Sequence, residues 1–445
     1  MLDNFFKVGE NKSDFKTEIL AGITTFLSMA YILGVNPTML ADGGMPPTGV
    51  FFSTAISAGI ACIIMGVVAK YPVGLAPGMG LNALFTYTII LEMGNTWETA
   101  LAAVFVASIV FLIITLSGLR ESILNIIPID LKLGIGAGIG FYLAFLGLKG
   151  AGVIVSNPST LVGMGNLFAP STLLALIGII ITLVFHAQKV PAAVFFGMVL
   201  TAIIGLVMSL FGFGAGDMLM PALPAHVITS NFDWSLFGGF ARGFGQLFSN
   251  IPNLVMIVFS LVFVTFFDTT GTLMSLGREC GFIDESGQAV GIEKAFLSDA
   301  IGGILGSICG TSTVTAFVES ATGIGMGAKT GLAAIVTGIL FILSIFFSPI
   351  VLSLFTSSVT ASALVIVGIL MIAQLKDVNW DDVIVASSVF ITIIMMLLSY
   401  SISLGIAWGF LTFAVVTIAR GKFKEMSWGI YVLAIVFLAY LFFGL

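Results

Sequence analysis

The chain has 445 residues, 58% of them hydrophobic and only 9% charged, with a formal net charge of −6. A soluble domain carries about a quarter charged residues, so this composition, at a mean hydropathy of +1.17, excludes a water-soluble enzyme and specifies a polytopic helical membrane protein. Cys62, Cys280 and Cys309 lack paired spacing, so neither a disulfide framework nor a metal motif is expected, and nothing calls for a cofactor or a nucleic-acid partner.

Residues 1–17 (MLDNFFKVGENKSDFKT) are polar and read as a cytoplasmic N-terminus with no separate cleavable signal. Apolar stretches bounded by Gly, Pro and charge then predict helices near 18–36, 48–69, 79–92, 97–118, 133–154, 170–186 and 190–212. A long polar-aromatic connection, 213–250, follows. Further helices are predicted near 251–276, 292–309, 314–325, 330–354, 358–375, 382–399 and 402–419, fourteen spans in all. A last apolar run, 427–445, fits either another span or an interfacial segment.

Orientation tests this map. With the N-terminus inside, fourteen of the sixteen Lys and Arg fall on the cytoplasmic side, and only Lys149 and Arg242 fall outside. That split is the one a positive-inside bias produces. The two sets of seven also resemble each other. Span three opens YPVGLAPGMGLNALF (71–85) and span ten opens SICGTSTVTAFVESATG (307–323), each a Gly-rich break before a brief helix. Seven is odd, so the second set is inverted relative to the first. Interrupted segments at matching positions of inverted halves point to a transporter's binding site.

Three acids lie well inside spans: Asp268, Asp299 and Glu319. A centrally placed acid costs roughly 2.5–3.5 kcal/mol or more in hydrocarbon, and no Lys, Arg or His is deep enough to pair with these. His186 is at a helix end and His226 is in the long connection. Such an acid is tolerated protonated, or hydrogen-bonded to backbone donors and a ligand. Glu319 sits beside a helix start that offers unpaired N–H groups, with Thr311, Ser312, Thr313 and Thr315 nearby in sequence. Asn82 lies on the first turns of the other broken helix. Thr272 follows Asp268 by four residues, on the same helical face. Structural readings compete: Asp268 bonded to neighbouring hydroxyls, Asp299 bonding the backbone of the broken segments, Asn82 closing the strand–helix break. Asp377, Asp381 and Asp382 read as solvated acids at a membrane edge. The Gly-rich GIGAGIG (134–140) and GFGAG (212–216) read as close-packing helix surfaces, not as phosphate loops.

AGITTFLSMAYILGVNP (21–37), LAPGMGLNALFTYT (75–88), FFDTTGTL (266–273) and GTSTVTAFVESATGIGMGAKTGL (310–332) together resemble the AzgA-like purine permease branch of the nucleobase:cation symporter-2 family, from about residue 5 to about 420. The resemblance implies an all-α fold of fourteen transmembrane segments in two inverted seven-span repeats. Short antiparallel strands would lie in spans three and ten, at residues 73–77 and 309–313. It implies a core domain at 18–128 (spans 1–4) and 251–354 (spans 8–11). A gate domain would occupy 129–212 (spans 5–7) and 355–420 (spans 12–14). Residues 213–250 form the extracellular connection and 421–445 a C-terminal apolar segment. The family's span-eight acid matches Asp268, its span-ten acid Glu319 and its span-three Asn Asn82. Uracil-transporting relatives carry Glu in span eight and His four residues on; this chain has Asp268 and Thr272, which argues for purines. A homodimer through the gate domain is a further implication.

The expected activity is import of guanine and hypoxanthine, with adenine a further candidate, by proton symport and an elevator-like core movement at the plasma membrane. In that scheme ionised Glu319 accepts purine N–H groups and backbone N–H groups near Ala83, Leu84 and Thr315 donate. Phe266, Phe267 or Phe317 stacks on the ring, and Asp268 takes the coupling proton. The alternatives are an anion or sulfate-type transporter of the same architecture, and a membrane-embedded enzyme. The first would favour a cation at the span-ten break, where this chain has Glu319. The second would want paired catalytic acids or a metal cluster, and no such motif is present.

Overall fold

The computed structural model describes residues 5–118, 128–214, 216–282, 291–422, 424 and 426–443. Arg120, counted among the inner cations, lies outside the described residues, as do both extreme termini. Among the described residues, ten helices are long and apolar enough to cross a membrane, and Met79–Glu92, Val383–Leu398 and Trp428–Ala439 are shorter apolar helices.

The first span is two helices, α1 (Phe15–Met29) and α2 (Ile32–Asp42), broken at Ala30–Tyr31. Asp14 caps α1, accepting from the Thr17 N–H at 2.9 Å and the Thr17 hydroxyl at 2.8 Å. These bonds, backbone first, hold the Asp14 carboxyl below its usual range. Helix α3 (Pro47–Ile64) widens into a π turn, Met65–Ala69. Strand β1 (Leu75–Pro77) leads into α4 (Met79–Ala83), which continues as a π-type segment, Leu84–Glu92. Helices α5 (Trp97–Ser117) and α6 (Ile129–Gly150), a hairpin of β2 (Ile154–Asn157) and β3 (Leu161–Met164), α7 (Pro170–Ala187) and α8 (Ala193–Leu210) complete the first half.

The second half begins with α9 (Phe240–Ser249), α10 (Ile251–Glu279) and α11 (Ile292–Cys309). Strand β4 (Val314–Ala316), one 3-10 turn (Val318–Ser320) and α12 (Ala321–Gly325) follow. Then come α13 (Gly331–Ser344), α14 (Ser348–Leu354), α15 (Ser357–Ile372), α16 (Val383–Ser399), α17 (Ile402–Ala419) and α18 (Trp428–Phe443).

β1 and β4 pair antiparallel, with Leu75 opposite Ala316, Ala76 opposite Thr315 and Pro77 opposite Val314. The pairing extends through Gly78 N–H to the Thr313 carbonyl and Phe317 N–H to the Gly74 carbonyl, both 3.0 Å. The second strand therefore lies beyond the expected 309–313. Gly310 ends α11 in the left-handed region (φ 98°), and the Thr311 N–H bonds back to the Gly306 carbonyl at 2.8 Å. This C-cap uses up the Gly-Thr segment before the chain extends.

The helices pack in two groups. α3 packs on α13 and α11, α1 on α13, and α5 on α10 and α11; α6 packs on α15 and α16, α7 on α8 and α15, and α16 on α17. Small residues make the close approaches. A Cβ at Gly140 would lie 2.8 Å from the Gly368 carbonyl of α15, and one at Gly134 would lie 2.9 Å from Val389 of α16. The GIGAGIG run is thus a packing surface, whereas Gly212, Gly214 and Gly216 have positive φ in a turn, not a helix.

Two elements were not anticipated. The β2–β3 hairpin is turned by Asn157, whose side chain accepts from the Ser159 and Thr160 N–H groups. Helix α9 lies within the 213–250 connection, with Phe105 stacked on Phe240 at 4.6 Å. The C-terminal run is a helix whose Phe437, fully buried, packs on Phe259 of α10 and Phe410 of α17.

Candidate functional site

Two broken segments meet at the β1–β4 pair, and α10 passes beside them. Asp268 is exposed although it lies mid-helix on α10. Its carboxylate reaches the start of α4: a Cβ on Gly78 would sit 3.8 Å from Asp268 Oδ2. Glu319, in the 3-10 turn after β4, is half-buried and is an electrostatic neighbour of Asp268. Among the described residues neither acid is in an ion pair. The two carboxylates therefore share one accessible recess, and among the described residues Asp268 has no hydrogen-bonding protein partner there.

Tyr31 is the residue that sequence reasoning missed. It sits at the break between α1 and α2, and its hydroxyl donates to Glu319 Oε1 at 2.5 Å. Its ring tilts against Phe317 at 6.4 Å. An aromatic in an apolar run carries no charge signal. The only sequence clue was its place in the middle of a span that the structure shows to be broken.

Asp299 takes the structural role among the acids. It is buried and accepts from the Thr269 hydroxyl (2.8 Å), the Thr315 hydroxyl (3.1 Å) and the Ala316 N–H (2.7 Å). Thr315 is thereby committed through its hydroxyl to Asp299 and Thr269, while its methyl lies at the start of α4, where a Cβ on Gly78 would sit 2.7 Å from Thr315 Cγ2. Asn82 is fully buried; its Oδ1 accepts from Ser312 and its Nδ2 donates to the Pro77 carbonyl at 3.5 Å. It clasps the two broken segments together.

The backbone donors at the start of α4 differ from those expected. The Asn82 N–H is already bonded to the Gly78 carbonyl at 2.8 Å, and the Leu84 N–H to that of Gly80. Ala83 lies between them, past the first turn. Because the helix starts at Gly78, its free N–H groups are those of Met79, Gly80 and Leu81. Thr272 is half-buried one turn beyond Asp268. Phe267 is half-buried, with the Lys132 ammonium of α6 5.1 Å from its ring centre. Phe266 is buried edge-on to Phe111 of α5 at 6.3 Å, and Phe317 is buried against Tyr31.

The recess thus presents two adjacent carboxylates, a phenol, helix-start N–H groups and aromatic faces. Such a set brings hydrogen-bond acceptors, donors and aromatic surface together in one place. Comparison with known proteins agrees in class. Residues 16–439 match the family model described as Permease family. The chain is 42% identical, over 99% of its length and all of the relative's, to a guanine/hypoxanthine permease, PbuG, of Bacillus subtilis (strain 168). It is 38% identical, over 98% of its length and 95% of the relative's, to an adenine permease, AdeP, of Escherichia coli (strain K12). Among solved structures, the transmembrane domain of a cyanobacterial bicarbonate transporter, BicA, aligns at TM-score 0.63 and 15% identity, covering 88% of this chain and 97% of that one. SLC26A9 aligns at 0.65 and 12%, covering 94% and 68%. At these identities the structural likeness establishes the fold alone.

Proposed function

This chain belongs to the nucleobase:cation symporter-2 family of permeases, and we propose that it imports purine nucleobases in symport with protons. It is a multi-pass transporter, not an enzyme. Guanine and hypoxanthine are the first substrates of this reading, and adenine is a further candidate. The plasma membrane is its location, with the N-terminus inside, fourteen crossings and lipid around the bundle.

The observation that carries the reading is the pair of carboxylates, Asp268 and Glu319, at one recess, neither in an ion pair among the described residues. A purine has ring and exocyclic N–H donors on one edge and N and O acceptors on another. Glu319, ionised and steadied by Tyr31, accepts from the donor edge. The Met79, Gly80 and Leu81 N–H groups donate to the acceptor edge, and the positive end of the helix dipole favours that. Phe267 or Phe317 covers a ring face, and Thr272 lines the wall; Asn82, Ala83, Leu84 and Thr315 support the segments behind. Asp268 carries the coupling proton. When it is neutral, one carboxylate charge leaves the recess, and helices α1–α5 and α10–α13 move as a core against a gate of α6–α8 and α15–α17. A homodimer through the gate group completes the reading.

Uptake of radiolabelled guanine, hypoxanthine, adenine and xanthine, in cells lacking their own purine permeases, tests it at two external pH values. Purine accumulation that strengthens as the outside is acidified is expected. Asp268→Asn should abolish accumulation against a gradient. Uptake driven equally by Na⁺ at clamped pH, or unaltered concentrative uptake by Asp268→Asn, would remove the proton from the scheme.

A further inference from the structure

The recess is open toward one end of the molecule only. Asn253, in the first turn of α10, donates to Asn95 at 3.2 Å, which places the start of α10 beside the end of the Met79–Glu92 helix. On the Asp268 face of α10, the residues toward that end are Val264, Leu261 and Ile257, at most 4% exposed. Toward the other end, Gly271, Ser275 and Glu279 on the same face are all exposed. Something must seal the end where α10 begins.

Three tyrosines meet there, and they come from both helix groups. Tyr87 lies on the Met79–Glu92 helix, Tyr142 on α6, and Tyr400 in the turn between α16 and α17. The Tyr87 ring is edge-on to Tyr142 at 6.4 Å and to Tyr400 at 5.8 Å, and Tyr142 meets Tyr400 at 5.4 Å. Each side is braced within its own group. The Tyr87 hydroxyl donates to Asp42, the last residue of α2, at 2.7 Å. The Tyr142 hydroxyl donates to the Tyr400 carbonyl at 2.9 Å, and the Lys149 ammonium donates to the Tyr400 hydroxyl at 3.1 Å while lying 4.6 Å from its ring centre.

The consequence is a seam in which the two groups touch through ring faces. Parting them breaks none of these braces; the polar contacts that cross beside the rings are the Ser403 hydroxyl of α17 donating to Ser260 of α10 at 3.0 Å and Ser401 on the Glu92 carboxylate, single serine bonds that contribute only about 1 kcal/mol each. We propose that the Tyr87–Tyr142–Tyr400 seam is the outer gate of this transporter, closed in this conformation while the recess opens to the opposite end.

The test reads accessibility and requires no substrate, so it fails separately from the purine assignment. Val264→Cys reports the outer side of the recess and Ser275→Cys the inner side; the native cysteines are all buried. An impermeant maleimide is applied to whole cells for the first reporter and to inside-out vesicles for the second. Tyr87→Ala removes both cross-seam ring pairs and should raise outer labelling about tenfold while slowing inner labelling. Tyr87→Phe keeps the rings and should leave both rates near those of the parent. Tyr400→Asn, which tolerates the left-handed backbone (φ 60°), removes the seam from the other side and should match Tyr87→Ala. Unchanged outer labelling in both seam variants would overturn the proposal. So would a rise at both reporters together, because that reports loosened structure and not a shifted gate.

Discussion

The two broken spans are built alike and used differently. In each, a short strand precedes a helix, and the strands pair with one another. After β1 the helix runs to Glu92, and its polar residue near the start, Asn82, is buried and spent on holding the break together. After β4 there is one 3-10 turn and a five-residue helix, and the polar residue, Glu319, stays accessible. One break supplies peptide dipoles and a scaffold; the other supplies an ionisable group. The outer edges of the ladder differ in the same way. Leu75 and Ala316 face each other across it. Leu75 is held by Cys62, whose Sγ accepts from its N–H at 3.1 Å and donates to its carbonyl at 3.2 Å. Ala316 is held by the Asp299 carboxylate. Cys62 is on span two and Asp299 on span nine, corresponding positions of the inverted halves. Repeat symmetry thus fixes the geometry and leaves the chemistry free to diverge.

Breaking the span-ten side should do the most harm. Glu319→Gln keeps the size and removes the charged acceptor, so purine uptake should fall about 100-fold at equal membrane abundance, since hydrogen bonds to charge contribute roughly 1.5–3 kcal/mol. Uptake at the parental rate would refute its role. Asp299→Ala leaves the Ala316 N–H and one of the two paired threonine hydroxyls without an acceptor, and should destabilise the protein by about 3 kcal/mol, read as a lowered unfolding midpoint in detergent. Tyr31→Phe removes one donor from Glu319 and should raise the KM for uptake about tenfold with little change in maximal rate; an unchanged KM would make the contact incidental. Cys62→Ala on the span-three side should cost only about 1 kcal/mol. If it matched Asp299→Ala in the same melt, the contrast between the two edges would collapse.

How much of this was legible follows from where charge falls. Asp268 and Glu319 stood out because apolar runs surround them, and a carboxylate there demands a reason. Tyr31 gave no such demand, since a phenol in an apolar run looks like packing until its partner is known. The Gly-rich breaks revealed both discontinuous spans, but not the register of β4. That register depends on Gly310 capping α11 and on the ladder beginning opposite Pro77, both long-range facts. The free N–H groups lie before Ala83 and Leu84 for a related reason: a helix start shifted by a few residues moves every free N–H with it. The β2–β3 hairpin escaped notice because its strands carry exposed apolar residues, Leu161 and Met164 among them, with no buried face to set an alternating pattern. The end of the chain read as ambiguous, and its helical packing on α10 and α17 is set by Phe437 meeting Phe259 and Phe410.

The ladder of three residue pairs also bears on how such a chain is made. Each half-chain contributes one strand, and among the described residues neither strand pairs with another in its own half. During synthesis the first half must therefore wait in the bilayer with the Gly74 carbonyl and the Gly78 N–H, which bond Phe317 and Thr313 in the finished ladder, unsatisfied, a state that hydrocarbon penalises. Only the arrival of Val314–Ala316, more than two hundred residues later, relieves it. Severed halves should accordingly be poor substrates for independent insertion, yet able to rescue one another when produced together.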